Sequence, residues 1–328
     1  MINKLAVLGA GSWGTAIAIL LARNNVSTCL WGRSGIELMQ KQRCNQRYLP
    51  DRKFPSNLNL ASDLKQAIHH IKDIIIAVPS HAFESLLKQL QPLIADDARI
   101  AWIKGLHPES NQCLDKIVQQ YLGDRSMAIL SGPSFAKEVA DNQPTAVSLA
   151  SNSKSFANDL IDCLHQPNFR VYFTDDMIGV QLCGAMKNVL AIATGVSDGL
   201  GFGANAGAGL ITRGLSEMTQ LGLAMGGKSE TFAGLAGVGD LILTCTDNQS
   251  RNRRFGLAIG QGQSIKQAEQ AIGQVVEGIH NVAQIHSLAK QYQLDLPICE
   301  NVYEVIAKGK MAKQAVADLL AREPHRAV

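Results

Sequence analysis

Apolar residues fall along the first half of the chain in short continuous runs, each followed by a stretch with helical spacing. Leu5 to Ala22 (LAVLGAGSWGTAIAILLA) is eighteen residues without a charge and reads as a strand, a glycine turn and a helix. Ser27 to Trp31 (STCLW) predicts a second strand, ending at Gly32 and Arg33. Asp73 to Pro79 (DIIIAVP) is the continuous apolar run that a parallel strand covered on both faces requires, and Ser80 to Leu90 follows it as a helix. Arg99 to Lys104 repeats the pattern. Met127 to Gly132 leads through Pro133 into a helix start at Ser134, Phe135 and Ala136, and Thr145 to Leu149 and Arg170 to Phe173 close the series of strands. Lys41 to Asn59 is polar, carries Pro50 and Pro55, and predicts a long loop or short helices.

Beyond Asp175 the period changes. Ile178 to Thr194, Leu210 to Met225, Arg253 to Ile259, Ser264 to Ala271, Asn281 to Gln291 and Asn301 to Lys308 all carry helical spacing, with no strand signal between them. Alternation of strand and helix up to Asp175 predicts a doubly wound, mostly parallel sheet. The expected organisation is therefore an α/β domain over 1–175 followed by an all-α C-terminal domain over 176–328. Gly199, Gly201, Gly203, Gly207 and Gly209 loosen one stretch of the second half. A hinge and a close helix contact both fit them, and close packing is the expectation.

Gly9, Gly11 and Gly14 form a GxGxxG motif between the first strand and its helix. The first glycine permits a tight turn, the second lets backbone N–H groups approach a pyrophosphate, and the third lets helix and strand pack closely. The helix N-terminus meets the anion with unpaired amides and its positive dipole end. This context predicts a Rossmann-type dinucleotide-binding domain. Lys104, at the end of its strand, lies on the carboxyl edge where open α/β sheets bind ligands. At the end of the second strand an Asp or Glu would receive the ribose hydroxyls of NAD, whereas Arg33 stands there instead. An arginine suits a 2′-phosphate, and it could equally stack on adenine whatever the phosphate.

Composition narrows the partners. At 328 residues the chain has room for two domains, and a formal net charge of +3 is too small to imply nucleic acid. Leu5 to Ala22 approaches the length of a bilayer span, but its glycines with Ser12, Trp13 and Thr15 make it a poor signal or membrane segment. The chain reads as soluble, untargeted and without a membrane span. Seven scattered cysteines with no CxxC pair predict the reduced thiols of a cytoplasm and argue against a zinc site. His69, His70, His81, His107, His165, His280, His286 and His325 show no metal spacing, and no metal site is expected.

The candidate chemistry lies in the second half. Helical spacing surrounds Lys187 with Cys183, Gly184, Leu190 and Ala191, so the lysine either loses hydration, which suits an acid or base near neutral pH, or snorkels to the surface. Asn188 beside it offers an amide to a substrate oxygen. Asp240 is the one acid in Gly234 to Thr246 (GLAGVGDLILTCT); it is either a helix N-terminal acid or a buried carboxylate needing a partner, for which Lys187 is the candidate and Thr244, one turn on, a companion. Ser250, Arg251, Asn252, Arg253 and Arg254 combine hydroxyl, amide and guanidinium donors in the way a phosphate requires, although a charge run of this kind also fits a solvated surface.

With GAGSWGTA at the start, SGPSFAKE in the middle, and GAMKNVLAIATG, GLAGVGDL and TCTDNQSRNRRFG in the second half, nearly the whole chain resembles the bacterial NAD(P)-dependent glycerol-3-phosphate dehydrogenases. The resemblance implies a cytoplasmic, homodimeric oxidoreductase that interconverts dihydroxyacetone phosphate and sn-glycerol 3-phosphate with NADPH or NADH, feeding glycerophospholipid synthesis. It places Ser12, Trp13 and Arg33 around the cofactor, with Ala136 nearby, Val275 and Glu277 reaching it from the second domain, and Arg251 close to it. It brings Lys104, Gly132 and Ser134 to the substrate, makes Lys187 the acid/base and Asp240 its partner, and gives Ser250, Arg251 and Asn252 the phosphate. The implied reaction is hydride transfer to the central carbonyl carbon while Lys187 protonates the oxygen and Lys104 helps polarise it. Two other readings fit the same domain plan: a related hydroxyacid dehydrogenase and a non-catalytic dinucleotide-sensing module.

Overall fold

Ten strands, all before Asp175, carry the first half of the chain in the computed structural model, which describes residues 2–322. They are β1 (Lys4–Leu8), β2 (Ser27–Trp31), β3 (Cys44–Asn45), β4 (Leu49–Lys53), β5 (Leu58–Ala61), β6 (Asp73–Ile76), β7 (Arg99–Ile103), β8 (Met127–Ser131), β9 (Thr145–Ser151) and β10 (Phe169–Thr174). Eight of them form one sheet in the order β10-β9-β8-β7-β6-β1-β2-β5. Every neighbouring pair is parallel except β8 with β9, so β9 and β10 run together against the rest. The chain separates into two units, one up to Gln181 and one from Leu182, the division falling inside the Met177–Gly199 helix.

The strands that carry unbroken apolar runs are the most deeply buried ones. Asp73–Ile76 is covered along its whole length, and Leu5 and Val7 of β1 join Ile17, Leu20 and Leu21 of the Ser12–Arg23 helix in one core. Phe156 and Leu160 of the Lys154–Leu164 helix complete that layer. At the amino end of β7, Arg99 lies between Asp73 at 2.5 Å and Asp159 at 2.6 Å and over the Phe156 ring, an ion cluster remote from the carboxyl edge of the sheet. The segment expected to be a long loop or short helices, Lys41 to Asn59, instead holds the antiparallel β3–β4 pair and the start of β5, which adds an edge strand beside β2. These strands are short and carry polar residues, so no apolar run announces them.

The second unit contains no strand among its described residues. After the Met177–Gly199 helix come Ala204–Ala224, Ser229–Ala233, a π-helical turn at Leu235–Gly239 running into Asp240–Thr246, then Arg251–Gly260, Ile265–Ile272, Glu277–Gln291, Pro297–Lys308 and Ala312–Leu320. By length and composition the Met177–Gly199 helix could cross a bilayer, but its apolar window is 83% buried within the protein, as a helix that is hydrophobic on all sides must be. Its later turns touch the Arg251–Gly260 helix backbone to backbone. A Cβ on Gly195 would stand 2.1 Å from the Arg253 carbonyl oxygen, and one on Gly256 would stand 2.2 Å from that of Ile192. Gly199 and Gly260 repeat the contact one turn along, at 2.3 Å from Leu257 and 2.4 Å from Val196. Of the loose glycine stretch, Gly199 alone packs in this way: Gly201, Gly203, Gly207 and Gly209 would each carry a Cβ with nothing within 4 Å, and the last two lie in the Ala204–Ala224 helix. Buried Glu217 of that helix accepts from the Ile298 and Cys299 amides at 2.7 and 3.1 Å and so caps Pro297–Lys308. Burial raises the Glu217 carboxyl against the pull of those two amides. His325 lies outside the described residues.

Candidate active site

The GxGxxG turn occupies the point where the strand order reverses, between β1 and β6. Gly9 has φ +125°, and a Cβ there would lie 2.5 Å from the Ala77 carbonyl just after β6, while one on Gly14 would lie 2.0 Å from the Gly9 carbonyl. Gly9 therefore requires glycine for its backbone angle and its closeness, Gly14 for its closeness alone. Gly11 differs: a Cβ there would meet nothing within 4 Å. The open space lies at the start of the Ser12–Arg23 helix, whose first turn holds no acid and whose cap position uses no side-chain hydrogen bond. Amides without intrahelical partners, room in front of them and no opposing charge fit a pyrophosphate.

Several predicted residues gather at this turn. Trp13 Nε1 donates to Ser134 Oγ at 3.4 Å, and the Ser134 hydroxyl donates to the Gly132 carbonyl at 3.0 Å. Gly132, at φ +144°, sits so close to β9 that a Cβ would meet the Val147 Cα at 3.0 Å. Ala136 opens the Ala136–Ala140 helix, which packs on the Ser12–Arg23 helix. Arg33 is exposed just past the end of β2, and Lys104 is half-buried just past the end of β7, each on the carboxyl edge. Asn45, which the sequence did not single out, braces the turn from β3: its amide donates to the Ala10 carbonyl at 3.0 Å and to Thr15 Oγ1 at 2.9 Å.

In the second unit Lys187 is buried rather than snorkelling out into solvent. It is 8% exposed, Asp240 is 1% exposed, and Lys187 Nζ lies 2.5 Å from Asp240 Oδ1. Pairing of this kind is what makes a buried charge tolerable. Asp240 is brought there by the tight π-helical turn before it, where a Cβ on Gly237 would fall 2.1 Å from the Phe232 carbonyl. The Thr244 hydroxyl donates to the Asp240 carbonyl at 2.6 Å, with the Asp240 carboxylate 3.5 Å away, so it braces the acid from one helical turn on.

The Ser250 to Arg254 run divides by role. Ser250 caps the Arg251–Gly260 helix, its Oγ accepting from the Arg253 amide at 3.2 Å. That leaves the Arg251 and Asn252 amides at the first two helical positions without intrahelical carbonyls. The Arg251 guanidinium donates to the Val275 carbonyl at 2.9 Å, which brings exposed Val275 to it, and Asn252 accepts from the Gly278 amide, next to Glu277. Arg253, by contrast, faces inward: it donates to the Cys245 carbonyl at 2.9 Å, to Asn248 and to Asp198 at 2.5 Å, fixing the loop ahead of the helix. Arg254 is exposed. Asn188 does not present its amide as expected, because both of its hydrogens are committed, to Asn281 Oδ1 at 2.9 Å and to the Gly184 carbonyl at 3.3 Å. Asn281 and Gln284 were missed in the sequence because neutral amides announce no charge that needs a partner. Burial pushes the thiols of Cys113 and Cys245 up to about 12 and those of Cys29 and Cys163 up to about 11, which removes these four as nucleophiles.

An open glycine turn at the switch point of a mostly parallel sheet makes the first unit a dinucleotide-binding domain. Residues 4–157 match the family model described as the NAD-dependent glycerol-3-phosphate dehydrogenase N-terminus, and residues 176–317 match the C-terminus of the same family. The glycerol-3-phosphate dehydrogenase [NAD(P)+] of Colwellia psychrerythraea is 54% identical over 325 residues, covering 98% of this chain and 97% of that protein. The crystal structure of glycerol-3-phosphate dehydrogenase from Coxiella burnetii, 52% identical, superposes with a TM-score of 0.95 over 98% of this chain and 99% of that one. The yeast glycerol-3-phosphate dehydrogenase of Saccharomyces cerevisiae, at 26% identity, superposes with a TM-score of 0.85 over 98% and 100% of the two chains. The chain belongs to the NAD-dependent glycerol-3-phosphate dehydrogenase family, a family of oxidoreductases using NADH or NADPH.

Proposed function

We propose that the protein interconverts dihydroxyacetone phosphate and sn-glycerol 3-phosphate with NADPH or NADH, as a cytoplasmic homodimer that supplies glycerol 3-phosphate for glycerophospholipid synthesis. The observation that carries the reading is the buried Lys187–Asp240 pair in the same helical unit as the Ser250–Asn252 helix start. A dinucleotide sensor needs neither. The domain boundaries proposed are a cofactor domain over 1–175 and a substrate domain over 176–328.

Gly9, Gly11, Ser12, Trp13 and Gly14 would hold the dinucleotide, with Arg33 at its adenosine end and Ala136, Val275 and Glu277 as further contacts. When bound, the reduced nicotinamide supplies the two electrons and the hydrogen that go to the substrate carbon. Lys187 holds the proton that passes from Nζ to the carbonyl oxygen, and Asp240 keeps that ammonium in place. Thr244 fixes the turn of helix that carries Asp240. Lys104 polarises the carbonyl, and Gly132 and Ser134 border the substrate. Arg251, Asn252 and the amides at the start of their helix grip the phosphate, with Ser250 shaping that start. Binding energy from the phosphate, remote from the reacting carbon, orients the ketone.

Following NADPH absorbance with dihydroxyacetone phosphate beside a set of 2-ketoacids tests the reading. Turnover of the phosphate ester alone is expected. Turnover of a ketoacid in its place would make the protein a hydroxyacid dehydrogenase of the same plan, and tight dinucleotide binding without any turnover would make it a sensor.

A further inference from the structure

Four side-chain amides form a one-way chain of hydrogen bonds through the second unit. It starts at the backbone N–H of Gly278, a donor that cannot turn round, which donates to Asn252 Oδ1 at 2.9 Å. That bond dictates the orientation of the Asn252 amide, whose Nδ2 donates to Asn188 Oδ1 at 2.9 Å. Asn188 Nδ2 donates onward to Asn281 Oδ1 at 2.9 Å, and Asn281 Nδ2 to Gln284 Oε1 at 2.8 Å. Reversing one of the asparagines would set donor against donor at the link before it and acceptor against acceptor at the link after it, so the orientation is a property of the whole chain. Asn188, Asn281 and Gln284 are 6%, 2% and 4% exposed, which makes an unsatisfied group costly and the chain rigid. Gly278 has no freedom to adjust: a Cβ there would lie 2.7 Å from Asn252 Oδ1.

Counting hydrogens separates the members. Asn188 donates both of its own. Asn252 donates one to Asn188, which leaves a single N–H at the half-buried first turn of the Arg251–Gly260 helix, beside Arg251. Asn281 lies two links away from that N–H and on a different helix, Glu277–Gln291. We propose that Asn281, backed by Gln284, is a positioning residue: by accepting from Asn188 Nδ2 it holds Asn188 Oδ1 toward Asn252, and together with the Gly278 N–H it thereby keeps the remaining Asn252 N–H aimed at the substrate phosphate. The proposal rests on the reading of Asn252 as a phosphate contact. It makes Asn188 part of the support for that contact rather than a substrate ligand.

The test is steady-state kinetics on the full chain with dihydroxyacetone phosphate and NADPH. Asn281→Leu removes the acceptor that Asn188 faces, and Asn281→Asp keeps it, since a carboxylate accepts from Asn188 and from a turned Gln284. Asn281→Leu is expected to raise the KM for dihydroxyacetone phosphate roughly tenfold, the loss of one hydrogen bond to a charged group, with kcat and the KM for NADPH kept. Asn281→Asp is expected to restore it. An unchanged KM in folded Asn281→Leu overturns the proposal, as does a fall in kcat and in affinity for both substrates that Asn281→Asp does not reverse, the signature of a merely structural residue. If Asn281→Leu does not fold, Gln284→Met is read in its place; a raised KM for dihydroxyacetone phosphate supports the proposal and an unchanged one overturns it. Asn252→Ala run alongside separates the two levels. No effect there refutes the phosphate contact itself, whereas an effect there with none at Asn281 or Gln284 refutes only the amide chain.

Discussion

Breaking the Lys187–Asp240 pair from each side should cost unequal amounts of stability. Lys187→Met strands a carboxylate that is 1% exposed, whereas Asp240→Asn strands an ammonium at the end of a flexible stem that is 8% exposed and has some access to water. Removing one partner of a buried pair costs about 3–5 kcal/mol. The aspartate, deeper and on a shorter stem, belongs at the upper end of that range, and protonation of the stranded acid sets its ceiling. At roughly 2–4 °C per kcal/mol for a unit of this size, the single variants should melt about 6–20 °C lower, with Lys187→Met the lower of the two. The double variant should lose about as much as one single variant rather than the sum, because the second substitution removes the stranded group. The assay is a double-mutant cycle by thermal melting, with turnover and dinucleotide binding measured on each protein. All three variants should bind the dinucleotide and lose turnover, since the proton donor or its anchor is gone. Additive losses in the cycle would refute the pair, and wild-type turnover in folded Lys187→Met would refute its role as acid.

Arg251→Ala should raise the KM for dihydroxyacetone phosphate roughly ten- to a hundredfold, the worth of a charge-assisted contact, and leave unphosphorylated dihydroxyacetone unaffected; equal losses on both would remove Arg251 as a phosphate clamp. Arg33→Asp should reduce use of NADPH more than use of NADH at fixed ionic strength, because the exposed guanidinium can pair with the 2′-phosphate; equal losses would leave only stacking on adenine. Hydrogen bonds from Lys88, Tyr121 and His107 hold the Glu84 carboxyl down from 4.5 to about 2. Its contribution to stability is complete above 4.5 and fades as pH falls towards 2, so Glu84→Gln should flatten the acid limb of a pH–stability curve in that window, and an unchanged limb would refute the coupling. Gly195→Ala drives a Cβ to 2.1 Å from the Arg253 carbonyl, and overpacking of that kind costs about 1–3 kcal/mol; dinucleotide binding should survive while kcat/KM for dihydroxyacetone phosphate falls, and full activity would show that the two helices can part freely.

What the sequence disclosed depended on whether the physical requirement was local. Buried parallel strands need an unbroken apolar stretch, so Ile74 to Ile76 of β6 and Ile100 to Ile103 of β7 stood out as runs, while β5, interrupted by Asn59, did not. The glycine turn is written within six consecutive residues and its context within eighteen. Lys187 and Asp240 are separated by 53 positions, yet each was legible because a charge among apolar neighbours demands a partner. Asn45 lies 30 positions from Thr15, and Asn188 lies 93 from Asn281, and an amide makes no comparable demand. The loose glycines show the same limit: nothing local distinguishes Gly199, which packs, from Gly207 and Gly209, which do not.

The spacing that matters most for chemistry in the second unit is set by backbone rather than by side chains. Lys187 lies about two helical turns ahead of Gly195, where its helix rests directly on the helix that begins at Arg251. Gly195 and Gly199 on one side meet Gly256 and Gly260 on the other, so there is no side-chain layer in the contact that could yield. The proposed proton donor and the proposed phosphate grip are therefore held on two rods clamped at a fixed crossing. Arg253 reinforces the clamp by joining Asp198 at the end of the first rod to the Cys245 carbonyl ahead of the second. A site built this way would select substrates by the span between a carbonyl and a phosphate. A ketone with the phosphate one carbon further away could satisfy either end, but not both, and the orientation that the phosphate supplies would be lost with it.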